Sequence, residues 1–262
     1  MTARPLNPLA FVLITVAGCS GQPFPTVAPA SSGPKSAVYH TDPSTKHLPK
    51  CVMTKRGCLD LETEYIPGVV ECELGRLTRS GPALEAQAIA ARTFLARHLK
   101  GRRADTVVPV SPRFQCWRPP VRLHSRDAAK FTRGTVLLWR GDLTTGNYVA
   151  GTRKLTVKCT PKSPEASGYT FSDWAQMRDA FKDKKPGVSF GGTDWTEIFV
   201  THNEGREADE VRPTTLARPV AYNRGALSQN GAICLAENLG YETLDILQYF
   251  YGNDVRLNRD IK

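Results

Sequence analysis

Two carboxylates, Glu71 and Glu73, stand two residues apart in the stretch LETEYIPGVVECEL, residues 61–74. On a helix, at about 100° per residue, they point to nearly opposite sides and cannot both serve one site. Glu73 follows Val70 and Val69 by three and four residues and falls beside the apolar stripe, whereas Glu71 falls beside Pro67 and Gly68. Partial desolvation raises a carboxyl pKa, and a Glu that keeps its proton near neutral pH can hand it to a leaving oxygen as a general acid. Glu73 is therefore the candidate acid, with a solvated helix residue as the plainer reading. No nucleophile elbow, P-loop or dinucleotide fingerprint occurs, and no CxxC, HxH or HExxH spacing. Neither a cofactor nor a metal is expected.

The elements that must hold Glu73 are legible around it. Leu61, Tyr65, Val69, Val70 and Leu74 recur at helical spacing, and Pro67 fits only if it opens a new helical turn, which predicts a short or broken helix. Pro82 starts a second helix, with Glu85 in its first turn, Arg97, His98 and Lys100 in its last, and Gly101 as the stop. Leu84, Ala88, Ala91, Leu95 and Leu99 line one face of it, while Ala83, Ala86 and Ala90 let a neighbour approach closely. Residues 102–218 read as strands and loops: two strands about Gly141, then alternation in LTVKC (155–159) and in TEIFVTHNEG (196–205). Ser228, Gln229 and Asn230 open a helix that Gly240 ends, and a last apolar helix runs from about Leu244 to Tyr251. Helices beside mixed or antiparallel sheet segments make an α+β domain.

The N-terminus reads differently. Arg4 precedes an apolar run from Leu9 to Val16, too short to span a membrane once mature, and Val16, Ala17, Gly18 and Cys19 resemble a bacterial lipobox. The expected organisation is a lipoprotein signal over residues 1–18, a disordered Pro/Ser-rich tether over 19–50 beginning at a lipidated Cys19, and a single domain over 51–262. Such a protein is exported and lipid-anchored in a bacterial envelope. The other six cysteines then form disulfides; fifteen pairings are possible, and Cys51 with Cys58 is the easiest local bridge. Formal net charge is +10, with basic clusters at 100–103 and 182–185. For an exported chain the polyanions within reach are wall polymers and phospholipid surfaces, not nucleic acid. Trp117, Trp139, Trp174 and Trp195 are core residues or sugar-stacking platforms, and His202, Asn203 and Glu204 form a polar cluster at a cleft or in a solvated loop.

GVVECELG followed by PALEAQAIAARTFLARHL, and later GALSQNGAICLAENLGYETLDILQYFYG, resemble the ordered blocks of the SpoIID/LytB family of cell-wall proteins. The resemblance implies that Glu73 is the catalytic acid of a lytic transglycosylase. Such an enzyme cleaves MurNAc-GlcNAc bonds of denuded glycan strands, forms 1,6-anhydroMurNAc and works beside an amidase partner. It implies substrate contacts at Ser228, Gln229, Arg92 and Gly151. Two departures stand out: Ala150, Gly151 and Thr152 replace a Ser-rich Gly-Gly segment, and Tyr222, Asn223 and Arg224 replace a His-containing Gly-rich run. The alternatives are a noncatalytic peptidoglycan-binding module that recruits or enhances an amidase, and a structural envelope lipoprotein.

Overall fold

A computed structural model describes residues 48–103, 105–111, 114–160, 203, 205–214 and 220–259. The expected signal, Cys19, the tether up to residue 47, the strand at 196–200, Trp174, Trp195, His202, Glu204 and the 182–185 lysines lie outside the described residues.

The described chain enters as an antiparallel hairpin, β1 (Cys51–Thr54) and β2 (Gly57–Asp60), bridged by the Cys51–Cys58 disulfide. The Asp60 carboxylate accepts the N–H groups of Glu62 and Thr63, and the Glu64 carboxylate accepts that of Asp60. These reciprocal bonds start a helical turn where free donors would otherwise stand. That turn, Leu61–Tyr65, is a wide π turn, and α1 (Ile66–Glu73) continues from it with Pro67 in its first turn. There Pro67 removes no needed hydrogen bond, which is the broken helix the sequence demands.

The central helix α2 (Gly81–Leu99) also begins with proline, at Pro82, and is closed by the Lys100 N–H on Ala96 O. It is buried on nearly every side because Ala83, Ala86, Ala88, Ala90 and Ala91 keep it thin. Gly146 shows how closely neighbours approach: a Cβ there would sit 2.7 Å from Ala90 O. A third helix, α3 (Leu123–Phe131), interrupts the region read as strands and loops. Its nine residues bury only Ser125, Ala128 and Ala129, so no apolar stripe announces it.

β3 (Thr135–Trp139) turns at Gly141 into β4 (Asp142–Leu143) and pairs on its other edge with β7 (Arg256–Arg259), all antiparallel. β5 (Tyr148–Val149) pairs in parallel with β6 (Leu227–Ser228), which leads directly into α4 (Gln229–Leu239). Gly240, at φ +68°, ends α4. A capping box of Glu242 and Asp245 then starts α5 (Thr243–Tyr251). The arrangement is the expected α+β fold. LTVKC, by contrast, is not a strand. The Cys159 N–H donates to Thr156 O and the Thr156 N–H to Thr160 O, closing a turn that presents Cys159 to Cys234 for a disulfide.

Arg92, expected at the substrate, is instead a structural clamp. Nε and Nη2 donate to Glu62 Oε1 and Oε2 at 3.0 and 2.8 Å, and the remaining N–H groups reach Thr135 O (3.0 Å), Ala88 O and Ala129 O (both 3.4 Å). All the donors of the guanidinium are consumed inside the protein, and the side chain has no exposed surface to offer a ligand. Its neighbour Thr93 joins α2 to the sheet: Oγ1 donates to Ile89 O and accepts the Leu137 N–H at 2.9 Å. Arg92→Met strands the largely buried Glu62 carboxylate. It should lower unfolding free energy by about 3–5 kcal/mol, read by chemical denaturation.

Candidate active site

The two carboxylates at the end of α1 diverge as helical geometry requires. Glu71 faces α3, where its Oε2 accepts from Ser125 Oγ (2.9 Å) and the Arg122 N–H (3.3 Å), and its Oε1 pairs with Arg122 Nε (3.3 Å) and Arg76 Nε (3.9 Å). At 1% exposure it is the more deeply buried of the pair, contrary to the ranking by apolar stripe. Ser125 on α3, Arg122 at its N-cap and Arg76 in the turn after α1 compensate it, and the first two lie too far along the chain to register in a helical pattern.

Glu73 is half-buried on the other side of α1. Its Oε1 accepts the backbone N–H of Cys116 at 2.8 Å and its Oε2 accepts Gln229 Nε2 at 3.2 Å. Burial pushes its carboxyl pKa up, and these two bonds, which favour the ionised form, only partly offset the rise. Tyr65 and Tyr148 also face it. Their phenols are pushed up, first by burial and then by the charge of Glu73, so they remain neutral donors across the working range. Tyr65 Oη donates to Gln115 Oε1 (2.8 Å), and Gln115 Nε2 donates in turn to Ala91 O (3.0 Å), tying this polar patch to α2.

Gln229 reaches Glu73 because the β5–β6 pairing and the start of α4 place it there. Ser228 is 2% exposed and its Oγ accepts the Gly231 N–H, so it caps α4 rather than facing a ligand. Gly151 is buried against it: at φ +68°, a Cβ on Gly151 would lie 2.0 Å from Ser228 Oγ. The expected substrate contacts at Ser228 and Gly151 are therefore corrected to positioning roles. Asn230 completes this arrangement. Its Nδ2 donates to Ala150 O and Gly151 O at 2.9 and 3.0 Å, locking the altered loop to the helix start.

Of the expected residues, the structure thus brings Glu73 and Gln229 together and leaves Arg92 in the interior. It adds Cys116, Tyr65, Gln115 and Tyr148, none of which carried a local sequence signal for this site. Asn203 is a buried clamp on Arg212 and Arg224 backbone groups, not a cleft residue. Tyr222 stacks under the Arg97 guanidinium at 4.4 Å, Asn223 binds both backbone groups of Thr214, and Arg224 pairs with Asp254. Trp117 and Trp139 are half-buried and pack against the core. Among the described residues no group of three or more His, Cys, Asp or Glu could hold a metal. A groove of about 820 Å³ between α2 and α3, lined by Arg79, Leu84, Glu85, His124, Lys130 and Phe131 among others, does not include Glu73.

Residues 53–139 match the family model for stage II sporulation protein, SpoIID. Over that span the chain is similar to a SpoIID domain. The matched span includes Glu73, α2, α3 and Cys116, while Gln229 comes from beyond it. No curated protein matches the chain. The match to the SpoIID model points to a cell-wall-related function.

A carboxyl whose folded pKa lies above its reference value of 4.5 binds its proton more tightly in the folded state. Its contribution to stability is complete below that reference and is lost as pH rises through the folded value. Glu73→Gln, which does not titrate, should therefore gain thermal stability over wild type as pH rises from 4.5 toward neutrality. Parallel melting-temperature curves for the two proteins would contradict the raised pKa.

Proposed function

We propose that this SpoIID-like domain is a lytic transglycosylase that cleaves glycan strands of peptidoglycan, with Glu73 as its acid and then its base. The observation that carries this reading is a single half-buried carboxyl, its pKa raised by burial, with the neighbouring Glu71 turned away and neutralised. Protonated Glu73 gives its proton to the oxygen linking MurNAc to GlcNAc as the C1–O bond breaks. The resulting carboxylate then takes the proton of the muramyl C6 hydroxyl as that oxygen bonds to C1, yielding 1,6-anhydroMurNAc and regenerating the acid. Because the nucleophile is internal to the sugar, one carboxyl performs both steps, and neither a second carboxylate nor a bound water is needed.

The surroundings fit a wall enzyme. Three disulfides, Cys51–Cys58, Cys72–Cys116 and Cys159–Cys234, suit an oxidising compartment outside the cytoplasm. The lipobox-like run ending at Cys19 supports a lipid anchor in a bacterial envelope, with residues 19–50 as the tether that lets the domain reach glycan. Denuded strands are the proposed substrate and an amidase that strips stem peptides the proposed partner.

A noncatalytic binding module that recruits an amidase is the second reading. It is favoured by the fate of Tyr222, Asn223 and Arg224, whose side chains are engaged in packing where relatives carry a His-containing run. Mass spectrometry of denuded strands incubated with the soluble domain separates the two. Anhydromuramyl ends from wild type, reduced at least about 100-fold in Glu73→Gln, are the expected result. Absence of such ends from wild type, with sacculus binding intact, would leave the binding module.

A further inference from the structure

Cys72 is the residue immediately before Glu73, and its disulfide partner Cys116 is the residue whose backbone N–H donates to Glu73 Oε1 at 2.8 Å. The bridge, spanning a sequence separation of 44, therefore ties the carboxylate's own backbone to the donor that orients it. Weaker contacts hold the same crossing segment further back along α1. Trp117 Nε1 donates to Glu64 O (3.0 Å), the Arg118 N–H donates to Gly68 O (3.1 Å), and Gln115 binds Tyr65 Oη. Gly68 admits the Trp117 indole only because it has no Cβ, which would lie 2.2 Å from Nε1. These contacts fix the segment beside the first turn of α1 and the turn before it. At the Glu73 end, the disulfide is the covalent link between segment and helix.

We infer that the Cys72–Cys116 disulfide is a positioning device for Glu73: it reserves Oε1 as a hydrogen-bond acceptor and so leaves Oε2 as the oxygen that carries and delivers the proton. This inference rests on Glu73 being the acid of the reaction proposed above. A backbone N–H cannot accept, so Oε1 behaves as the carbonyl oxygen of the neutral acid. Oε2 has Gln229 as its neighbour, and a side-chain amide can turn to offer its oxygen to the acid proton or its N–H to the carboxylate. An acid that becomes a base within one turnover needs such an adaptable partner on the working oxygen and a fixed one on the other. Both cysteines lie outside any expected local pairing rule, since neither is the other's neighbour in sequence.

The Cys116 N–H also stabilises the ionised carboxyl, so releasing it should let the Glu73 pKa rise further. The groups that face Glu73 besides the disulfide are Tyr65 from the π turn, Tyr148 from β5 and Gln229 from α4; both phenols stay neutral and Gln229 does not titrate. Glu71, Arg76 and Arg122 belong to the opposite side of α1.

The test compares the whole chain with C72S/C116S and with C72V/C116V, whose apolar pair preserves packing, and uses C51S/C58S as the control. Two readouts are taken: the titration of the Glu73 side-chain carboxyl carbon by NMR of 13C-Glu protein, assigned with Glu73→Gln, and the pH profile of anhydromuramyl release. In both Cys72/Cys116 variants the Glu73 midpoint should move up and the alkaline limb of activity with it. The rate at the wild-type optimum should fall about 10- to 100-fold. The C51S/C58S control should keep the wild-type midpoint. A folded Cys72/Cys116 variant with an unmoved Glu73 midpoint, merely melting earlier as the control does, would reduce the disulfide to a structural cross-link. If wild type releases no anhydromuramyl product, the transglycosylase reading fails, while the NMR titration still decides the positioning role.

Discussion

A helix buried on nearly every side has room only for small side chains, and α2 meets that constraint with Ala83, Ala86, Ala88, Ala90 and Ala91. Close approach is the consequence: α1, α3, α5 and β3 all pack against it, and Gly146 comes within reach of its backbone. One large polar residue interrupts the alanine surface. Arg92 is the largest fully buried side chain described, and it is tolerated because Glu62 and three carbonyls satisfy it completely. With Thr93 binding Leu137, the Arg-Thr pair joins α2 to the π turn, to α3 and to the sheet. A motif that reads as a candidate for substrate recognition is thus the bolt that holds the layers together.

The site follows from how that scaffold presents the end of α1. Two glutamates separated by one residue enter different electrostatic worlds. Glu71 is turned to Ser125, Arg122 and Arg76, where its charge is neutralised, whereas Glu73 meets neutral donors and phenols, where burial raises its pKa. The difference is one of environment alone, since the residues are chemically identical. It separates a structural carboxylate from one able to hold and release a proton.

Both hydrogen bonds to Glu73 come from segments distant in the chain. Cys116 arrives after α2, and Gln229 after the β5–β6 pairing, with Ser228, Gly151 and Asn230 fixing the helix start that carries it. The Cys116 backbone N–H holds Oε1 from a fixed position, while the capped start of α4 brings the adaptable Gln229 amide to Oε2. The Ala150–Gly151–Thr152 loop is pinned at that helix start by Asn230.

What the sequence determined by itself are the features governed by local rules. Pro67 and Pro82 as helix openers, Gly141 and Gly240 as turns, the alanine face of α2, the Ser-Gln-Asn start of α4 and the Cys51–Cys58 bridge all follow from short-range sterics and periodicity. The α+β class follows from the same patterns. Tertiary structure alone decided the rest. It made Arg92 a clamp and Ser228 a cap, hid α3 beneath a polar nine-residue stretch, turned LTVKC into a disulfide-bearing turn, and buried Glu71 more deeply than Glu73. The physical reason is common to all of these. Burial, ion pairing and pKa depend on which distant groups fill the space around a side chain, and helical spacing specifies only its direction.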